Sequence, residues 1–198
     1  MIGFLRGRLA AKQPPLLVLE VNGVGYELSA PMSTFYELPS VGEELVLLTH
    51  LLVREDAQIL YGFVNEEERA LFRSLLRVSG IGAKIALAIL SGISADGFAH
   101  CVRTEDAATL IKVPGVGRKT AERLIVEMRD RIDAGAGGGE AGLTSAVMTT
   151  GKPTEEAYGA LVALGYKPAE TTRLLKNIDT ENLGAEEIIR LALKGAVK

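Results

Sequence analysis

The sequence predicts an α+β protein of several domains: a small β-barrel, a pair of repeated helical hairpins, and a three-helix bundle on a tether. Three observations carry that expectation. The first sixty or so residues fall into strand-length apolar segments bounded by turn residues. A string of sixteen residues recurs without gaps 35 positions later. A glycine-rich stretch with almost no charge then sets off the C-terminal residues.

The strands come first. LLVLEVNGVGYELSA is two apolar runs around Asn22-Gly23, a strong hairpin signal. LVLLTHLLV and AQILYGF make a second pair around Arg54-Glu55-Asp56. With the opening IGFLRGRLAA there are about five strands, and a short helix fits near Ser33–Leu38. A closed, strongly bent barrel is the natural way for so few residues to bury five strands. The Gly23-x-Gly25 pair belongs to the hairpin, because it lacks the third glycine and the strand–turn–helix context of a dinucleotide fingerprint.

From Glu66 the apolar period becomes helical. Leu71, Leu75, Leu76 and Val78 precede Gly80, and Ile85, Ala86, Ile89 and Leu90 follow it on one helix face. LLRVSGIGAKIALAIL (75–90) then aligns on LIKVPGVGRKTAERLI (110–125), with Val78, Gly80, Gly82, Lys84 and Ala86 recurring as Val113, Gly115, Gly117, Lys119 and Ala121. Two copies are too few for a solenoid, so the reading is two helix–turn–helix units packed as one domain. GAGGGEAGLTSAVMTTG (135–151) holds six glycines and reads as a flexible linker. PTEEAYGALVALGY, KPAETTRLLKNI and GAEEIIRLALKGA follow as three amphipathic helices.

Composition narrows the function. The formal net charge is −3, with 47% hydrophobic and 24% charged residues, as expected of an ordinary soluble globular protein. No signal peptide is read at MIGFLRGRLAAK, and LVLLTHLLV is far short of a membrane span. The lone Cys101 reads as a small core residue rather than a nucleophile. Residues 1–63 carry four Lys/Arg against seven Asp/Glu, whereas residues 64–134 carry eleven against ten. Arg69, Arg73, Arg77 and Lys84 follow one another with no acid between them, so a polyanion is expected to meet the middle third.

The repeated Gly-x-Gly explains how. Glycine allows the tight turn and leaves backbone N–H groups uncovered. The first turn of the next helix presents unpaired donors at the positive end of its dipole, which makes an anion site. Lys84 stands beside the first site, and Arg118, Lys119, Thr120 and Arg123 beside the second. A Walker A loop is excluded, since Arg118 separates glycine from lysine in GVGRKT. Helix-hairpin-helix, a grip on the DNA backbone that reads no bases, fits both copies. The chain has no Trp and only ten Tyr and Phe together, which suits an acidic barrel poorly to stacking single strands.

LLVREDAQILYGF puts Glu55 and Asp56 at the tip of the last barrel hairpin. They read as a solvated turn, as metal ligands of a nuclease, or as carboxylates that repel phosphates and keep backbones apart. A catalytic rival, a helix-hairpin-helix glycosylase or nuclease, would look to Asp130 and Asp133 beyond the second hairpin. A protein-only scaffold with incidental basic hairpins is the rival of another class.

REDAQILYGF, the paired VSGIGAK and VPGVGRKTAERLIVEM, and ALVALGYKPAE resemble, in that order and along the full chain, the RuvA family of Holliday-junction-binding proteins. The resemblance implies an OB-fold barrel over residues 1–64 for oligomerisation, and a tandem helix-hairpin-helix domain over 65–134. It implies a flexible linker over 135–152 and a UBA-like three-helix domain over 153–198. It makes Gly80, Gly82, Lys84, Gly115, Gly117, Arg118 and Lys119 phosphate contacts, and Glu55 and Asp56 an acidic pin at the junction centre. Four chains form a flat tetramer, and one or two tetramers hold an open four-way junction. The third domain docks a RuvB-type hexameric ATPase through Leu161, Leu164 and Tyr166, and a RuvC-type junction resolvase is a further implied partner. The subunit itself is expected to be non-catalytic, without cofactor or metal, in the bacterial cytoplasm. In the first hairpin Ala83 stands where the second has Arg118, so the first grip is expected to carry less charge.

Overall fold

The computed structural model describes residues 1–135, 153–176, 178, 180 and 183–196, with side chains described to Arg129 in the first stretch. The expected linker, beyond Gly135, lies outside the described residues. The chain divides into two compact units, Met1–Ile132 and Asp133–Lys198.

The first unit opens with β1 (Phe4–Gln13), β2 (Leu16–Val21), β3 (Val24–Ser29), α1 (Met32–Glu37), β4 (Glu44–Val53) and β5 (Gln58–Phe63). The strands close into a barrel in the order β1-β2-β3-β5-β4. All pairings are antiparallel except β3 with β5, which runs parallel through Leu28↔Leu60 and Ser29↔Tyr61. The expected hairpin turn is present, with Asn22 and Gly23 both at positive φ, the conformation Asn-Gly adopts most readily. Closure in so short a chain needs strong bending. A register shift between Leu9 and Ala11 supplies a bulge, and at Gly7 an added Cβ would lie 2.1 Å from the Glu20 carbonyl oxygen. Inward-facing Leu9, Leu17, Leu19, Leu28, Leu47 and Leu60 fill the interior, and Phe35 of α1 plugs one end.

The helices follow: α2 (Glu66–Leu76), α3 (Ala83–Gly92), α4 (Ala95–Arg103), α5 (Ala107–Ile111) and α6 (Arg118–Gly135). The repeat read from the sequence is the α2–turn–α3 and α5–turn–α6 pair, with α4 between them. Asn65, Ser94 and Asp106 cap α2, α4 and α5, each accepting a hydrogen bond from the backbone N–H three residues on. Cys101 is buried in the helical core, and its thiol is pushed up by burial first and then by nearby Asp106. It sits there as a small apolar residue.

Barrel and helices share one interior. Tyr61 and Phe63 of β5 belong to the same buried cluster as Phe72 and Leu75 of α2, with ring centroids 4.8 and 5.1 Å from Phe72. Arg69 of α2 is also inside, only 1% exposed. It donates to the Gly3 carbonyl at 2.6 Å and the Thr49 carbonyl at 3.4 Å, and pairs with Glu66. The surface run of four cations expected from Arg69 to Lys84 therefore loses its first member to the seam. A second tie runs from the Met32 N–H of α1 to the Ser91 hydroxyl of α3 at 3.0 Å.

From Pro153 on, the described residues of the second unit form three helices: α7 (Pro153–Ala163), α8 (Pro168–Lys176) and α9 (Ala185–Ala196). Ala157, Leu161, Leu175, Ile188 and Ala192 form its small core. A closed barrel, two helical hairpins and a three-helix unit thus make up the expected α+β architecture. No single described helix is long and apolar enough to cross a membrane.

Replacing Arg69 by methionine keeps the bulk and strips two barrel carbonyls of their donor. An Arg69→Met variant is expected to lose about 2–3 kcal/mol of stability in urea unfolding. A loss under about 0.5 kcal/mol would contradict the role given to the seam.

Candidate nucleic-acid interface

The two hairpins match bond for bond. In the first, the Val78 N–H donates to Leu75 O at 3.0 Å, Ile81 N–H to Val78 O at 3.0 Å, and Ala86 N–H to Gly82 O at 3.0 Å. In the second, Val113 donates to Leu110 at 3.1 Å, Val116 to Val113 at 3.0 Å, and Ala121 to Gly117 at 2.9 Å. Gly80 and Gly115 sit at φ +84° and +88°, where a side chain is strained. Val78, Ile81, Val113 and Val116 are buried and hook each turn into the core.

The second glycine of each turn answers to a different need. Gly82 has φ −92°, a conformation open to any residue. A Cβ added at Gly82 or Gly117 would meet nothing within 4 Å. The fold therefore does not require glycine at either position. Gly82 is the N-cap of α3 and supplies no side-chain cap, unlike Asn65, Ser94 and Asp106. No acid stands in the first turn of α3 or α6, whereas α2 has Glu66, Glu67 and Glu68 there. Both helix starts are left with uncovered N–H donors and an unopposed dipole, open to an anion.

The cations frame these openings unevenly. Lys84 and Lys119 are exposed, with no ion-pair partner among the described residues. Arg118, its side chain 85% exposed, pairs with Glu122 at 3.1 Å. That i,i+4 spacing was legible in the sequence. Thr120 is half-buried. Arg123 donates to the Ser79 carbonyl at 3.0 Å, so it reaches from the second hairpin's helix back to the first hairpin. Ala83 is 4% exposed, and burial at that position leaves no place for a counterpart of Arg118.

Glu55 and Asp56 are exposed in the turn between β4 and β5, closed by an Arg54 N–H to Ala57 O bond of 2.8 Å. Among the described residues no group of three His, Cys, Asp or Glu could hold a metal ion. The side chains of Asp130 and Asp133 lie outside the described residues.

In the second unit Leu161 is 0% exposed, Tyr166 is half-buried and Leu164 is 62% exposed. The Tyr166 N–H bonds to Leu161 O at 3.2 Å and the Gly165 N–H to Val162 O at 3.0 Å, with Gly165 at φ +100°. That is a Schellman cap, whose apolar pair is Leu161 with Tyr166. Two of the three apolar residues expected to meet a partner are thus occupied in ending α7 and filling the bundle core. Leu164 is the most exposed of the three.

Gly80→Ala is expected to lose about 1–2 kcal/mol of stability, and Gly82→Ala less than half of that, by urea unfolding of the two variants. Equal losses would contradict the separate needs assigned to the two glycines. Comparison with known proteins agrees with the architecture throughout the chain. Residues 1–62 match the family model described as RuvA N terminal domain, residues 72–130 match SAM-like Helix-hairpin-helix tandem, and residues 152–196 match RuvA, C-terminal domain. The chain is 54% identical to the Holliday junction branch migration complex subunit RuvA of Thioalkalivibrio sulfidiphilus and 55% to that of Methylococcus capsulatus, over 100% of both chains in each case. It is 56% identical to the protein of that name from Nitrosococcus oceani over 98% of each chain. At that identity, over that length and with all three parts in order, the chain belongs to the RuvA family.

Proposed function

We propose that this chain is the structure-specific DNA-binding subunit of a branch-migration complex. It grips the phosphates of a four-way junction through two hairpins per protomer and has no catalytic step of its own. The observation that carries this reading is the pair Gly82 and Gly117. The fold needs no glycine at either position, yet each stands at an acid-free helix start without a side-chain cap, beside a lysine that has no ion-pair partner among the described residues. A missing side chain there lets a phosphate oxygen approach the backbone N–H groups. Gly80 and Gly115 shape the turns, Lys84 and Lys119 add charge, and Arg118 and Thr120 flank the second site. The related proteins named above are called subunits of a Holliday junction branch migration complex, which supports the same reading for this chain.

The division of labour follows. Residues 1–64 supply the barrel and subunit contacts, residues 65–134 the grips, 135–152 a tether, and 153–198 the docking domain for a RuvB-type ATPase. Of the three apolar residues assigned to that contact, Leu164 is the most exposed. Four protomers arranged around the junction bring four copies of Glu55 and Asp56 to its centre, where they repel phosphates and separate the arms. A RuvC-type resolvase and a second tetramer on the opposite face complete the proposed assembly, in the bacterial cytoplasm.

Four protomers with two phosphates each make eight contacts, which gives a log–log salt slope of junction binding near −7. In a gel-shift series over salt, a Gly82→Ala/Gly117→Ala double variant is expected to stay folded, bind the junction at least about tenfold more weakly and show a shallower slope. A wild-type slope shallower than about −3, or a double variant that binds like wild type, would sink the paired grip.

Neutralising the tip tests the acidic pin. Glu55→Gln/Asp56→Asn is expected to tighten binding to linear duplex more than to the junction, narrowing the preference about three- to tenfold at fixed salt. An unchanged ratio would leave the tip as a solvated turn.

A further inference from the structure

Two grips hold one DNA backbone jointly only if their spacing is set before the DNA arrives; otherwise ordering the pair opposes binding. The hairpins lie 35 residues apart in sequence, and two of the contacts that cross between them involve the first glycine of each turn. One is apolar: a Cβ at Gly115 would lie 3.5 Å from Ile85 Cγ1 of the first hairpin's helix. The other is polar: the Arg123 guanidinium donates to the Ser79 carbonyl at 3.0 Å, and a Cβ at Gly80 would lie 3.4 Å from the same nitrogen. Each turn's first glycine therefore packs against the helix that follows the other turn. A close approach between repeats adds to the demand for glycine that positive φ already makes at Gly80 and Gly115.

The polar contact has no counterpart in the opposite direction. The residue matching Arg123 in the first repeat is Ala88, and the residue matching Arg118 is Ala83. The helix after the first turn, α3, thus carries Lys84 alone, while α6 carries Arg118, Lys119 and Arg123 at the matching positions. By contact, Arg123 stands at the first hairpin.

We infer that Arg123 is a positioning residue, a strut that locks the first hairpin to the second and lends the first grip a charge that α3 lacks at the matching position. This rests on the reading of both hairpins as phosphate grips. The chemistry suits arginine: a planar guanidinium can donate to a carbonyl through one nitrogen and keep further donors for a second acceptor. Ser79 is exposed at the mouth of the first turn. Its bare carbonyl would otherwise turn a negative dipole end toward an incoming phosphate, and Arg123 covers it.

The test uses the full chain, a synthetic four-way junction, and the variants Arg123→Gln and Arg123→Lys. In the free protein, hydrogen exchange of the amides of residues 79–84 is expected to rise about threefold in Arg123→Gln, with residues 114–119 little changed. Junction affinity is expected to fall about tenfold, and Arg123→Lys to recover less than half of that on a logarithmic scale, because an ammonium keeps the charge without the fork. Affinity lost with exchange unchanged would make Arg123 a phosphate ligand only and overturn the strut. Exchange raised with affinity unchanged would overturn it too, as would no change in either. A Lys84→Ala/Lys119→Ala variant reports on the grips separately. If that variant binds the junction normally, the phosphate reading fails, while exchange in the free protein still decides whether the hairpins are tied.

Discussion

The buried guanidinium of Arg69 is the contact on which the rest of the first unit depends. It lies between α2 and the barrel and satisfies the carbonyls of Gly3 and Thr49, with Glu66 as its counter-charge. A charge taken out of water is tolerated only where its partners are fixed, so the seam has little freedom to shift. Phe72 packs one turn along α2 against Tyr61 and Phe63, and the His50 ring meets Phe72 edge-on at 5.6 Å. Burial, then Arg73 and Arg69, hold the His50 imidazole below its ordinary value, which keeps a third positive charge out of the seam at neutral pH. The strand pair that ends in Glu55 and Asp56 is thereby anchored to the helix that leads into the first hairpin. Acidic tip and cationic grips belong to one compact unit.

Local placement of charge within that unit explains how a chain of net charge −3 can serve as a clamp for DNA. At physiological salt, exposed charges are screened beyond about 8 Å, so a phosphate responds to its immediate surroundings rather than to the whole molecule. At the openings of α3 and α6 those surroundings are N–H donors, a helix dipole and an exposed lysine, with no acid in the first turn. The carboxylates of the proposed pin, Glu55 and Asp56, stand instead in the exposed turn between β4 and β5. Arg118 is held in reserve: its exposed pair with Glu122 is worth a fraction of a kcal/mol, and a phosphate can displace it.

Much of this was legible in the sequence because it was local. Asn22-Gly23 announced its hairpin, and the gapless repeat announced the paired turns. Gly80 and Gly115 are dictated by backbone conformation, which short motifs record well. What escaped was tertiary. Arg69 reads as a surface cation in a run of basic residues, and only the closed barrel shows it buried on two carbonyls 20 and 66 residues away. Arg123 reads as a neighbour of Lys119, since nothing in its spacing points to a carbonyl 44 residues earlier. Leu161 and Tyr166 carry an ambiguous signal, because the apolar residues that close a Schellman cap resemble a docking patch. Burial separates Leu161 and Tyr166 from Leu164, and burial is a property of the folded bundle.

The most direct test of the account is a titration of the protein against a four-way junction and a linear duplex of the same sequences, at one salt concentration with magnesium present. The account predicts that the junction is bound at least about tenfold more tightly and is not cleaved, because grips at fixed spacing around a repelling centre read DNA shape. Equal affinity for the two, or cleavage of the junction, would contradict it.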